Sequence, residues 1–154
     1  MTGSAFERLA ELGLALPPVA APVAAYVPAV RTGNYVYTSG QLPMVDGKLQ
    51  GTGKVGDEMA PGEAASLART AVLNALAAVA SVAGGIDSVT RIVKMTCFVA
   101  SAPSFTGQAR VANGASDLLI SVFGDAGQHA RSAVGTAVLP LDSPVEVELI
   151  AEVA

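Results

Sequence analysis

The stretch Val145–Val153, VEVELIAEV, alternates apolar side chains with Glu146, Glu148, Ile150 and Glu152. A period of two belongs to a β-strand with one face buried and the other wetter. A chain carrying this signal must therefore build a sheet that is covered on one side. Upstream, Arg131 opens another apolar run, which a proline turn over Leu139–Pro144 ends. The pattern predicts two strands joined by a short loop, with one permanent cation at the mouth of a mostly apolar surface. The planar fork of a guanidinium matches an anion, most simply a carboxylate. A structural ion pair of Arg131 with Glu146 or Glu148 is the alternative. The glutamates have their own plain reading, a solvated strand face.

The other elements follow from periodicity and punctuation. Residues Ser4–Leu14 predict a short helix capped by Ser4, with Phe6, Leu9 and Ala10 on one face and Gly13 at its end. Pro17, Pro18 and Pro22 then extend the chain. Two strands are predicted, Tyr26–Arg31 and Tyr35–Ser39, around the turn Thr32-Gly33-Asn34. Asp46-Gly47 is another turn, and Lys48–Lys54 a further short strand. Pro61–Ala83 is the strongest helix signal. Pro61 suits a first turn, Glu58 and Glu63 suit the positive end of the dipole, and Gly84-Gly85 stop it. Asp87–Ser101 predicts a long strand with Arg91, Val93, Met95, Cys97 and Val99 on one face. Ile92, Lys94, Thr96 and Phe98 fall on the other. Phe105–Phe123 predicts a second long helix, and Gly124–Gly127 a loop. This order implies an α+β fold, a mixed sheet with two helices packed on one face.

Composition sharpens the expectation. Of the 154 residues 51% are hydrophobic and 14% charged, against about 25% charged in an ordinary domain. So few charges leave apolar surface to hide, which implies an oligomer. The net charge of −4, with no basic run, argues against nucleic acid as a partner. Cys97 and His129 are the only residues of their kinds, so no disulfide, cysteine-based cluster or ordinary zinc site is expected. No cofactor is implied. A membrane span and a signal peptide are not expected, and the cytoplasm is the default compartment. Cys97, mid-strand, reads as a buried inert thiol.

Three segments carry a family resemblance: AAYVPAVRTGNYVYTSGQLP (24–43), RIVKMTCFVA (91–100) and ARSAVGTAVLPLDSPVEVELIAEVA (130–154). With them the chain resembles the RidA/YjgF family of enamine and imine deaminases, formerly described as endoribonuclease L-PSP. The resemblance implies a chorismate-mutase-like fold assembled as a barrel-cored homotrimer with clefts between subunits. Residues 1–18 would be an N-terminal helical extension and 19–154 a single domain. Members hydrolyse 2-aminoacrylate-type enamines and imines to 2-keto acids and ammonia. The alternative is a non-catalytic trimer that senses a small carboxylate, a keto acid or an amino acid.

By resemblance, Arg131 matches the arginine that grips the substrate carboxylate, and Glu146 the acid that positions or activates water. Tyr26 matches a tyrosine from an adjoining subunit. Ser39 and Gly40 match a small-residue strand end beside the ligand, the amide of Ala133 a further anchor, and Asn113 the cleft asparagine. His129, two residues before Arg131, reads either as an exposed loop histidine or as a group that tunes the cleft. The chain departs from the family at Ala133 and Gly135, where relatives often carry Cys and Glu. That departure implies a smaller-walled, less polar cleft and a bulkier or different ligand.

Overall fold

The computed structural model describes residues 2–19 and 24–154. Pro22, expected to extend the chain, lies outside the described residues. The elements are α1 (Ala5–Glu11), β1 (Ala29–Thr32), β2 (Tyr35–Thr38), β3 (Met44–Val45), β4 (Lys48–Leu49), α2 (Pro61–Ala83), β5 (Val89–Ala100), α3 (Gln108–Phe123), β6 (Ala130–Thr136) and β7 (Val145–Val153). Short 3-10 turns cover Ile86–Ser88, Gly124–Gly127 and Pro140–Asp142. The main sheet runs β1-β2-β7-β5-β6, and β3-β4 is a separate two-stranded hairpin.

α2 has the boundaries its sequence predicts. Pro61 occupies the first turn with Glu63 beside it, and Gly84 ends the helix at φ 85°, a left-handed conformation that glycine adopts without a Cβ clash. α2 is long and apolar enough to cross a membrane by length and composition. Here Ala68, Val72, Ala75, Leu76 and Val79 are fully buried in the core instead. Asp46 and Gly47 both take positive φ, 52° and 76°, which closes the β3–β4 hairpin as a tight turn. The strand expected over 48–54 stops at Leu49, because Gly51 and Gly53 follow it and the backbone turns away. Asn74 in α2 anchors the hairpin by donating from Nδ2 to the carbonyls of Leu42 and Met44, each at 3.0 Å.

One edge of β5 pairs in parallel with β6 and the other antiparallel with β7. The strands on either side of the Leu139–Pro144 turn are therefore not neighbours, and the chain crosses over β5 between them. The expected division of β5 into two faces also fails at one point. The register with β7 shifts between Ile92 and Lys94, so Ile92 joins Met95, Cys97 and Val99 on the buried face. With Val145, Val147, Leu149, Ala151 and Val153 of β7 and Val36 of β2, these form the sheet's side of the core. The opposite face carries Val30, Tyr35, Tyr37 and Val134, all exposed.

α1 opens with a reciprocal cap. Ser4 Oγ accepts from the Glu7 amide at 3.2 Å, and Glu7 Oε2 accepts from the Ser4 amide at 3.1 Å. Ala5 and Leu9 are its buried residues. Phe6 is exposed, contrary to the face expected from spacing. Arg8 Nη1 donates to the Val122 carbonyl at 2.9 Å, which fixes α1 against the end of α3.

The two long helices cross at Gly114, where an added Cβ would fall on the backbone of Ala65. Backbone cannot yield as a flexible side chain can. Gly114→Leu is therefore expected to destabilise the protein by about 3 kcal/mol, the upper part of the overpacking range. Urea denaturation measures this, and an unchanged midpoint would contradict the tight crossing.

Candidate active site

Arg131 stands opposite Met95 in the β5–β6 register, so its side chain leaves the sheet on the helix-covered face. There it meets a polar stripe on α3. Nη1 donates to Asn113 Oδ1 at 2.7 Å and to Ser116 Oγ at 3.2 Å, and Nη2 donates to the Ala109 carbonyl at 3.4 Å. All three acceptors are neutral. They use both hydrogens of Nη1 and one of Nη2. Among the described residues Nε–H donates to no acceptor, which leaves the guanidinium a free donor for an anion such as a carboxylate.

His129 joins the same cluster. Its Nε2 lies 2.9 Å from Ser116 Oγ and its Nδ1 lies 2.6 Å from the Gly127 carbonyl. Asn113, Ser116, Asp117, Ile120, Gln128, His129 and Arg131 line an open cavity of about 350 Å³. Asn113 and His129 are thus in contact with the Arg131 cluster. Ser116 escaped the sequence reading. Its signal was a hydroxyl set beside Ala112, Ala115 and Leu119 on the buried face of α3.

Glu146 is elsewhere. It pairs with Phe98, whose neighbours Cys97 and Val99 point into the core, so Glu146 emerges on the open face of the sheet. β5 separates β7 from β6. The two residues expected to act together therefore lie on opposite faces and on strands that do not touch. The expectation of Arg131 and Glu146 side by side on neighbouring strands fails within one subunit, because β5 fills the position between them. Within one subunit an ion pair between Arg131 and Glu146 or Glu148 is excluded for the same reason.

Glu146 has a different companion in Gly40. An added Cβ at Gly40 would collide with the Glu146 carboxylate. The adjacent Gln41 bridges to Val147 through two backbone bonds, of 2.8 and 3.0 Å. Ser39 beside it donates from Oγ to the Val27 carbonyl at 2.6 Å. Ser39, Gly40 and Glu146 thus form a second cluster. Partial burial, and then the Glu148 carboxylate, raise the Glu146 pKa above the usual glutamate value. Tyr26 precedes β1 rather than lying in it, and its ring is exposed.

Ala133 faces the helix layer opposite Cys97. Burial pushes the Cys97 thiol up to about 12, against a smaller opposing pull from Arg131. It stays a neutral thiol. At Gly135 the expected extra room is taken: an added Cβ would meet Gln108 Nε2 at 3.0 Å and Ser101 Oγ at 3.3 Å. Gln108 is held there by bonds to Ser101 Oγ at 3.2 Å and the Phe105 carbonyl at 2.8 Å. A neutral amide thus fills the space beside Gly135, so the wall there is neither smaller nor apolar.

Among the described residues no three His, Cys, Asp or Glu side chains cluster as metal ligands would.

Residues 6–153 match the family model described as "YjgF/chorismate_mutase-like, putative endoribonuclease". Protein TCP17 of Trypanosoma cruzi is 43% identical over 152 residues, covering 98% of this chain and 95% of that protein. The crystal structure of a Shewanella oneidensis protein titled as a "putative endoribonuclease" superposes with a TM-score of 0.94 at 34% identity. It covers 98% of this chain and 100% of its own. The crystal structure of E. coli TdcF with bound serine gives a TM-score of 0.64 at 28% identity, covering 90% of this chain and 94% of that one. With its mixed sheet, its helices on one face and this match over nearly its whole length, the chain belongs to the YjgF/chorismate mutase-like family and has that family's fold.

Proposed function

We propose that the chain hydrolyses reactive 2-imino and enamine acids of the 2-aminoacrylate type to 2-keto acids and ammonia. The substrate carboxylate sits on Arg131 in a cleft shared between subunits of a cytoplasmic homotrimer. The observation that carries this reading is the setting of Arg131: a guanidinium in a cavity of about 350 Å³, bonded only to neutral oxygens among the described residues and with its Nε–H unengaged. TdcF, a relative, was crystallised with serine, an amino acid bearing the same carboxylate handle.

The chemistry asks little of a protein. The iminium carbon is already electrophilic, so the site must hold the carboxylate and present one water at attack distance. In this reading Ser39, Gly40, Glu146 and Tyr26 of one subunit meet the Arg131 cluster of another. The exposed Val30, Tyr35, Tyr37 and Val134 favour burial of the open sheet face against further copies. Residues 1–18 are an extension to the domain 19–154, with α1 pinned to the end of α3.

One observation favours the second reading, a non-catalytic sensor of a keto acid or amino acid. Gln108 places a neutral amide beside Gly135, where relatives often carry a glutamate. Calorimetry with 2-ketobutyrate beside a deaminase assay separates the two, since binding without turnover is the sensor's result.

Arg131→Ala is expected to abolish turnover of 2-iminobutyrate. It should also weaken 2-ketobutyrate binding at least about 100-fold, the loss of two charge-assisted hydrogen bonds, while the sedimentation behaviour stays the same. Full activity in this variant refutes the reading.

The raised pKa of Glu146 gives a separate test. Between its unfolded and folded pKa values the native state holds more protons than the unfolded chain, so stability falls as pH rises through the folded value. The penalty is fully present above the folded value and absent below about pH 4, under the ordinary glutamate value. Glu146→Gln should therefore stabilise the protein at pH 7, with the gain vanishing in acid. Thermal melts across pH 3.5–8 measure it, and an equal shift at both ends contradicts the burial argument.

A further inference from the structure

We propose that Ser116 and His129 form a proton relay for the Arg131 site, carrying a proton from the attacking water to the departing amine. The inference rests on the imine-hydrolysis reading above.

The chemistry of the groups fixes the direction of the chain. The Gly127 carbonyl can only accept, so His129 Nδ1 carries a hydrogen toward it at 2.6 Å. Arg131 can only donate, so Ser116 Oγ accepts from Nη1 at 3.2 Å. In the neutral imidazole Nε2 is then the acceptor, and the Ser116 hydroxyl donates to it at 2.9 Å. The order is Arg131 to Ser116 to His129 to Gly127. It has the form of a hydroxyl, a base and an orienting group, each within hydrogen-bond reach of the next.

Ser116 is also placed unlike the hydroxyls of α2. A buried helical serine or threonine commonly bonds back to its own helix. Ser66, Thr70 and Ser81 of α2 do so, onto the carbonyls of Gly62, Ser66 and Ala78. Ser116 is only 7% exposed, yet it turns to the ring of His129 and lines the cavity. The charged or titratable groups lining the cavity with the pair are Arg131 from β6 and Asp117 from the exposed side of α3, and Cys97 of β5 lies near Arg131. The thiol stays neutral. Glu146 of the same subunit is on the other face of the sheet.

Arg131 and Ser116 line the same cavity, so a carboxylate held there by Arg131 has its next carbon, the iminium carbon, in the space that Ser116 faces. Water oxygen forms a bond to that carbon as the C=N π pair moves to nitrogen. The proton lost by water passes to Ser116 Oγ while the Ser116 hydrogen moves to His129 Nε2. This leaves an imidazolium whose Nδ1–H stays on Gly127. The reverse transfer through Ser116 protonates the amine of the carbinolamine. The C–N bond then breaks, nitrogen leaves with its electron pair, and the hydroxyl proton departs with the ammonia as ammonium. Iminium carboxylate and water become keto-acid anion and ammonium, with nothing oxidised.

The test measures kcat and KM for 2-iminobutyrate against pH, in water and in D2O, for the intact protein and for Ser116→Ala, His129→Gln and the double variant. Each single change should lower kcat about 100-fold, in the range of one acid–base group, with KM within threefold. Each should change the pH profile of kcat and remove the solvent isotope effect. The double variant should be no slower than the singles, because the two act as one unit. Singles that keep the pH profile and the isotope effect, or that change only KM, overturn the relay. If Arg131→Ala is inactive in the same series, the carboxylate grip survives that failure. If the unaltered protein binds 2-ketobutyrate but never turns over 2-iminobutyrate, the relay and the deaminase reading fall together.

Discussion

β5 is the only strand of the main sheet that joins a parallel neighbour to an antiparallel one, and the geometry of both candidate clusters depends on it. Its parallel bond to β6 needs a crossover, which α3 supplies. That crossover lays α3 over the helix face beside β6 and brings Asn113 and Ser116 onto Arg131. Its antiparallel bond to β7 sets the register that turns Val145, Val147 and Leu149 inward and Glu146 outward. A one-residue slip in either ladder would exchange the faces and dismantle both clusters.

Much of the fold was legible because its signals are local. α2 follows from Pro61, its apolar spacing and Gly84-Gly85, and β7 from strict alternation. The hairpin turn follows from Asp46-Gly47, whose positive φ values suit those residues. The failures were of two kinds. Phe6 shares a helical face with residues expected to be buried, yet only Ala5 and Leu9 of α1 are buried, and spacing alone does not say where a short helix docks. Ile92 changes face at an irregularity in the β5–β7 register that leaves no mark in a run of strand-forming residues. The placing of β5 between β6 and β7 is a property of the whole sheet. A proline turn between two strand signals reads equally as a hairpin or as a crossing.

The candidate site was legible where its residues were unusual. A single arginine opening an apolar strand drew notice, and Asn113 and His129 came with it. Ser116 did not, since serine is common in helices and only its turn away from its own backbone marks it out. Gln108 was missed for a similar reason. The sequence showed glycine where relatives often carry glutamate, and the empty place suggested room. Filling that place from α3, a helix far along the chain, requires the three-dimensional packing.

The separation of Arg131 from Glu146 bears on how a charged site stays usable. At about 4 Å and an effective dielectric near 20, opposite unit charges attract by about 4 kcal/mol. A carboxylate of the same subunit at that distance would compete with any incoming ligand for the guanidinium. Neutral oxygens from Ala109, Asn113 and Ser116 hold the group in place without cancelling its charge. They also offset part of the desolvation that a half-buried cation suffers. The outward turn of Glu146 has the complementary effect. Burial and Glu148 make its carboxylate readier to take a proton, a property suited to a base and out of place in a salt bridge. One sheet therefore carries a cation held by neutral oxygens on one face and an acid with a raised pKa on the other. Within a single copy the two do not meet. Chemistry that used both would need two copies, and the open sheet face carries the exposed apolar Val30, Tyr35, Tyr37 and Val134.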